Sequence, residues 1–295
     1  MCATKGNPVK NTPTPLHLSC YYGHTTVAKL LIRSKASIKQ VAGRKQTFLH
    51  KAIISADAEF VNVLISTTLE EHGAKEVDEL LHLEDMDGNT PLLLAVKRKS
   101  PEITEALIDR GVELNHHNSR NIYALHMACL AGSVDVVRLL IDRGANVECR
   151  NKLNQTPLMV AAEFNHSEII KCLLEEGNAD IEARDDDGMT SLLKASSKGH
   201  IEAAQMLGRH NADVYAVDQV RLHVIEYFNH NSSVFTYVCS SSGRGALSFM
   251  QLKRTKSKWS KCSFVTARPG SSWMFMTSQI ICHYTLLPSK GIWRW

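Results

Sequence analysis

Asp85-Met-Asp-Gly-Asn89 is a run that could open a calcium loop, which begins with oxygen-bearing side chains at alternate positions around a glycine turn. Such a loop closes on a glutamate at its twelfth position, and Val96 stands there. The run is therefore read as a turn with Gly88 at its tight point. His17, His50 and His126 could supply imidazoles to a metal or act as general bases, but long stretches of chain separate them. His116-His117 has no cysteine or carboxylate at ligand spacing. No metal is expected.

Nucleophiles fare no better. Cys20, Cys129 and Cys172 occupy periodic apolar positions and are read as small buried hydrophobes. The 8 cysteines include no CxxC pair, so a disulfide or zinc framework is not implied. Runs of the form Gly-x-Ser-x-Gly, Gly-x-x-x-x-Gly-Lys and His-Glu-x-x-His are missing. The expectation is a protein that is not an enzyme and carries no cofactor.

One run has the chemistry of an anion reader. Lys253-Arg-Thr-Lys-Ser-Lys-Trp-Ser-Lys261 puts five cations and a tryptophan into nine residues, a composition that attracts nucleic acid or anionic lipid. It belongs to a segment unlike the rest. From Val217 onward there are 10 Lys/Arg against 2 Asp/Glu, and the preceding 216 residues carry 24 against 28. All 4 tryptophans lie after Val217 as well. Nucleic acid is the weaker expectation, because no periodic element is in place to hold this run against a groove.

The elements before Val217 come from a repeat. Thr14-Pro-Leu-His, Thr47-Phe-Leu-His, Thr90-Pro-Leu-Leu, Tyr123-Ala-Leu-His, Thr156-Pro-Leu-Met and Thr190-Ser-Leu-Leu mark six copies. The intervals between anchors are 33, 43, 33, 33 and 34 residues. The long one is a period plus an insertion at about 66–84, and the last includes Asn178 as an extra residue. Leu16, Leu49, Leu92, Leu125, Leu158 and Leu192 share one register, and Leu31, Leu64, Leu107, Leu140, Leu173 and Leu207 share another.

Each copy reads as two short helices. Leu125, Ala128 and Cys129 are three and four apart, the stripe of a first helix. Val136, Val137, Leu139, Leu140 and Ile141 make a second one, apolar around most of its girth. Gly132 and Gly144 fall where left-handed caps are required. An anchor threonine can cap a helix start, and a proline suits the next position. Helices this short cannot bury such faces alone, so copies must stack.

This pattern of Asp-x-x-Gly-x-Thr-Pro-Leu, then Ala, Gly-His, Val-Val, Leu-Leu and Gly-Ala, resembles the ankyrin repeat. The resemblance covers roughly Val9 to Tyr215. It implies an all-α solenoid of six helix-turn-helix repeats with β-hairpin-like tips. It also implies that each anchor+3 histidine bonds neighbouring backbone and the threonine hydroxyl. Copies four to six match best. Lys99 and Asn165 replace the first glycine of copies three and five, and Phe48 and Ala56 replace the proline and glycine of copy two.

The resemblance further implies a scaffold that binds other proteins through hairpin tips and first-helix ends. The first-helix set is Tyr21 and Tyr22, Ile54 and Ser55, Lys97 and Arg98, Leu130 and Ala131, Glu163 and Phe164, Ser197 and Lys198. Tips add Arg44, Arg120, Lys152, Leu153, Asp186 and Asp187. The strongest candidates are Tyr22, Arg44, Lys97, Arg98, Arg120, Lys152, Phe164 and Lys198. The central patch from Lys97 to Phe164 is expected to dominate. The Glu-rich insertion reads equally as a partner-reading loop or as a lengthened helix with an acidic, solvated side.

Residues 1–8 are expected to be a short leader, 9–216 the repeat domain and 217–295 an unstructured basic tail, a chain end appended where a longer array was cut. A degenerate capping repeat at Asp218–Phe228 is the competing reading. Met1 to Lys10 has no apolar run, so export is not expected and the cytoplasm or nucleus is. The stretch Asp85–Val96 is also similar to the ankyrin-rich class of transient receptor potential channels. That similarity implies the cytoplasmic part of a cation channel, associated with a membrane only through a longer chain.

Overall fold

The computed structural model describes residues 12–55, 57–213 and 216, and the backbone of 222–229, 232–239, 247–255 and 258–267. The expected leader, Ala56 and 268–295 lie outside the described residues. Two compact units emerge, Met1–Asp213 and Val214–Trp295.

In the first unit every copy is a helix pair, as the period requires. The pairs are α1 (Pro15–Tyr21) with α2 (Thr25–Arg33) and α3 (Phe48–Ser55) with α4 (Ala58–His72). After a further helix, α5 (Ala74–Leu81), come α6 (Pro91–Lys97) with α7 (Pro101–Ile108) and α8 (Ala124–Ala131) with α9 (Val134–Asp142). The last pairs are α10 (Pro157–Glu163) with α11 (Ser167–Glu175), then α12 (Ser191–Lys198) with α13 (Ile201–Arg209).

The anchors start the first helices. Thr14, Thr156 and Thr190 each accept an N–H from three residues on, and proline sits at the first helical position of α1, α6 and α10. In the five copies where it is described, the residue that ends the first helix pattern is left-handed whatever its type: Gly23, Lys99, Gly132, Asn165 and Gly199 all have φ between 59 and 77°. Lys99 carries the cost of a Cβ in that region, about 1 kcal/mol.

First helices pack on first helices and second on second, giving two layers: α1·α3·α6·α8·α10·α12 and α2·α4·α7·α9·α11·α13. The leucine two residues after each anchor is at most 2% exposed in every copy, each stabilising by about 2 kcal/mol. Copies are also stitched by side chains. Asn115, Glu148 and Glu182 each accept the backbone N–H of a residue one copy on, Asn146, Asp180 and Asp213.

The insertion resolves into structure. Helix α4 runs on to His72, turns at Gly73 and continues as α5, which buries Val77, Leu80 and Leu81. Their three-and-four spacing gives α5 one apolar face, so its acids point outward. Lys39 holds Glu76 at 2.5 Å and also pairs with Glu79, and Lys35 pairs with Glu71 at 3.3 Å. Much of the insertion's acidity is thus spent on copy one.

In the second unit the described residues beyond Ala216 are strands. Four strands, β1 (Leu222–Asn229), β2 (Ser232–Cys239), β3 (Leu247–Thr255) and β4 (Lys258–Ala267), form an antiparallel meander in the order β1-β2-β3-β4. Val, Ile, Tyr, Phe and Thr crowd these segments, and such residues fit a pleated surface. The β1–β2 ladder runs from Leu222↔Cys239 to Asn229↔Ser232. A shift between Leu252 and Arg254 interrupts β3–β4. The competing capping repeat at Asp218–Phe228 is replaced by β1 over its described part.

Candidate functional site

The hairpin tips are built by one acceptor each. Five residues before the anchors of copies three to six, Asp85, Asn118, Asn151 and Asp185 each use Oδ1 to accept the backbone N–H groups two and four residues on. Asp85 is therefore occupied in turn-making. Adjacent tips also join directly, as Ser119 N–H donates to Asp87 at 3.1 Å and Met86 N–H to Arg44 at 2.9 Å.

The anchor+3 histidines lock one copy to the next. Thr14 N–H and Thr47 N–H donate to Nδ1 of His17 and His50, which leaves Nε2 carrying the proton. That N–H donates to the carbonyl of Gln46 at 3.0 Å and of Asn89 at 3.2 Å. His126 does the same to Gln155 at 2.8 Å. Burial lowers the pKa of all three, that of His126 to about 4. Neutral imidazoles tied into backbone are structural. Thr90 shows the converse: Leu93 replaces its histidine, and Thr90 Oγ1 is buried without a hydrogen-bond partner.

The cysteine thiols are equally committed to the core. Burial pushes Cys20 and Cys149 up to about 12 and Cys172 to about 11, and raises Cys129 well above the ordinary thiol value. They are protonated thiols, not thiolates. His116 and His117 stack on each other, and His116 Nε2 faces Glu84 at 3.2 Å. Among the described residues no three His, Cys, Asp or Glu side chains are grouped as a metal centre.

Within the first helices, exposure falls mainly at their C-terminal ends. Residues one to six of α6, α8 and α10 are buried, and the chain emerges seven and eight residues after the anchor. This gives a row of Tyr21 and Tyr22, Ile54 and Ser55, Lys97 and Arg98, Leu130 and Ala131, Glu163 and Phe164, Ser197 and Lys198. Tyr22 is 65% exposed, Leu130 43% and Phe164 47%. Phe164 stacks with His166, ring centroids 6.5 Å apart. Three of the five junctions along the row are bonded: Ser55 Oγ donates to the Cys20 carbonyl, Arg98 Nη1 to that of Ile53 at 2.5 Å, and His200 Nε2 to that of Glu163.

Several candidate cations turn out to be engaged. Arg44 reaches both carboxylate oxygens of Asp87 on the next tip, at 2.7 and 2.8 Å. Lys198 pairs with Glu163 at 3.3 Å. Two arginines on the second-helix side are paired with neighbouring copies: Arg143 bonds Glu105 and Asp109, and Arg138 bonds Glu176. Among the described residues no ion pair is formed by Lys97, Lys99, Arg120 or Lys152. Arg120 and Lys152 are exposed on neighbouring tips. Two further residues share this surface without having been singled out in the sequence. Met86, 61% exposed, sits at the tip position that Lys152 holds two copies later. Lys99 stands in the left-handed slot beside Arg98, and burial together with Lys99 lowers the pKa of His166.

A groove of about 620 Å³ opens beside the row, lined by Gly23, Ser55, Asp57, Phe60, Val63 and Arg98. Its origin is a missing side chain. Over Gly132 the space is filled by His166, whose Cε1 would lie 2.6 Å from an added Cβ, whereas the space over Gly23 is open. Asp57 stands at the position of His166 in copy two and is too short to fill it. The basic run Lys253–Lys261 falls across β3 and β4, and its side chains and Lys256 lie outside the described residues. Among the described residues no helix is long and apolar enough to cross a membrane.

The family model for ankyrin repeats (3 copies) matches residues 2–76, 67–151 and 125–218. The transient receptor potential cation channel subfamily A member 1 of Drosophila melanogaster is 26% identical over 229 residues, 76% of this chain and 19% of that protein. Its Caenorhabditis elegans homologue is 25% identical over 192 residues, 65% of this chain and 15% of that one. Human neurogenic locus notch homolog protein 1 is 32% identical over 123 residues, 41% and 4%. The chain thus spans less than a fifth of these relatives. The solved ankyrin repeat domain of Bcl-3 superposes with a TM-score of 0.61 at 26% identity, covering 70% of this chain and 90% of that domain.

Proposed function

Because the chain belongs to the ankyrin-repeat family, whose members are protein-interaction modules, we propose that it is a non-catalytic scaffold that holds other proteins in the cytoplasm or nucleus. The surface it uses is the first-helix row and adjoining tips, centred on Lys97, Arg98, Arg120, Lys152 and Phe164. One observation carries this reading. Arg138 and Arg143 on the second-helix side are neutralised by neighbouring copies, whereas among the described residues Lys97, Arg120 and Lys152 form no ion pair, on a surface that also exposes Leu130, Leu153 and Phe164. Arg and aromatic side chains presented on such a surface carry much of the energy of protein interfaces. Affinity capture with the full chain tests it, against a variant carrying Arg98→Glu and Arg120→Glu. The variant is expected to keep its helical circular dichroism and lose partners. If every partner stays bound, the reading fails.

A second reading is favoured by the match to the two channel proteins over 76% and 65% of this chain. In it the array is the cytoplasmic repeat region of a transient receptor potential-type cation channel. Transcripts that continue the repeats past Asp218 into apolar spans of about 20 residues would support it. Transcripts that consistently end as this chain does would leave the scaffold.

A further inference from the structure

We infer that the first-helix row reads an extended peptide segment in which one acidic residue is flanked, three residues away on both sides, by large apolar residues. This rests on the reading of that row as the partner surface and adds the chemistry of the partner. Through copies one to five the stations follow a defined order: Tyr21 and Tyr22, then Ile54, then Lys97, then Leu130, then Phe164, which stands one residue further from its anchor than Leu130 does, with Ser197 and Lys198 of copy six beyond them. Tyr21 is 49% exposed, Ile54 39% and Leu130 43%. Only the third station is cationic in that series. Lys97 is exposed and forms no ion pair among the described residues.

Arg98 is turned toward its own chain, onto the Ile53 carbonyl and the groove that holds Asp57 and Glu59. Lys97 and Lys99 are left as the outward charges of this station. The fifth station's carboxylate, Glu163, is taken up by Lys198, so Phe164 presents its ring without a competing charge.

Spacing fixes the register. Packed helices lie about 8–10 Å apart, and an extended chain rises about 3.3 Å per residue. In the polyproline II form, with three residues per turn and a rise of about 3.1 Å per residue, such a chain meets a new station every third residue on one face. The complementary segment is apolar, two residues, acidic, two residues, apolar, with a further large apolar residue three positions beyond to meet Phe164. Charge complementarity at Lys97 selects the acid, and the apolar stations exclude water around it.

The probe is a random 15-residue peptide library displayed on phage, selected on the full chain and in parallel on two variants, Lys97→Glu/Lys99→Glu and Leu130→Asp. On the natural chain the enriched peptides are expected to carry Asp or Glu with large apolar residues at three-residue spacing. A representative peptide should bind at least tenfold more tightly than the same composition scrambled. The Lys97→Glu/Lys99→Glu chain should enrich Lys or Arg at the central place, a readout that misfolding does not produce. Enrichment without this spacing, or the same acidic peptides from the charge-reversed chain, overturns the inference; so does a failure to enrich any peptide. If partners captured by the natural chain are still lost from the Arg98→Glu/Arg120→Glu chain, only the peptide chemistry is withdrawn. If those partners stay bound, the surface itself is withdrawn.

Discussion

The Nε2 of His126 lies 2.8 Å from the carbonyl oxygen of Gln155, 29 residues further along the chain and in the next copy. The bond favours the protonated ring, but burial outweighs it and holds the pKa of His126 at about 4, so the ring is neutral. An unfolded histidine titrates near pH 6.5. Between those values the unfolded chain binds a proton that the folded chain refuses. This stability is therefore fully present above pH 6.5 and is lost as pH falls toward 4. Stability measured by urea unfolding at pH 7.5, 5.5 and 4.5 should fall below pH 6.5 by up to about 1.4 kcal/mol per pH unit on account of His126. His17 and His50 are shifted in the same direction and steepen the slope. His126→Gln should flatten it, and an unchanged slope would contradict the assignment.

Thr47 and Thr90 occupy the same position but not the same network. Thr47 Oγ1 lies 2.7 Å from Nδ1 of the buried His50. Thr90 Oγ1 has no partner, because Leu93 stands where the imidazole would be. Thr47→Val removes the hydroxyl that contacts Nδ1 and accepts the His50 N–H, leaving the ring nitrogen only the backbone N–H of residue 47, and should cost about 1–3 kcal/mol. Thr90→Val removes an unsatisfied hydroxyl and should be neutral or stabilising. Equal costs, measured by urea denaturation at pH 7.5, would refute the distinction.

Left-handed positions separate steric need from tolerance. An alanine Cβ at Gly88 would meet Ser119 N of the next tip at 2.6 Å, with φ already +75°. At Gly144, φ is +82° and the space is open. Gly144→Ala should therefore cost about 1–2 kcal/mol from backbone strain alone, and Gly88→Ala clearly more. Lys99→Gly should do the reverse and gain about 1 kcal/mol, since Lys99 now sits at φ +61°. Thermal midpoints of the three variants check the order.

These cases show what a sequence of this kind discloses. The anchors, the leucine registers and the left-handed slots were legible because each copy must solve the same local problem, and six solutions side by side expose the rule. Gly132 and Gly144 could be placed as caps from their position alone. What depends on stacking was not legible. Arg44 and Lys198 have the right type and register for partner contact, yet their engagement by Asp87 and Glu163 follows only from which copies become neighbours. The strands β1 to β4 were missed for a different reason. A strand's period of two gives little signal in eight residues, and polar residues interrupt it. The open space over Gly23 needed both a missing histidine at Asp57 and the geometry that a histidine fills elsewhere.

The last copy contains an arrangement that its neighbours do without. Lys194 Nζ lies 2.6 Å from Asp185 Oδ2, with side chains only 11% and 2% exposed. In copies four and five the same two positions hold Asn118 with Met127 and Asn151 with Val160, and those asparagines make the same two backbone bonds with Oδ1. The charge on Asp185 is thus not required by the turn, and Lys194 is present to balance it. Lys194→Met alone strands a buried carboxylate that keeps only its backbone donors. It should cost about 3 kcal/mol, less than the worst cases because Asp187 and Met189 N–H still reach Oδ1. Asp185→Asn alone should leave an ammonium unpaired at similar cost. The double variant recreates the neutral arrangement of copies four and five and should return to within about 1 kcal/mol of the natural chain. A double-mutant cycle in urea measures this coupling directly. Additive losses would mean that the pair is not compensating charge, and the last copy would need another source for its stability.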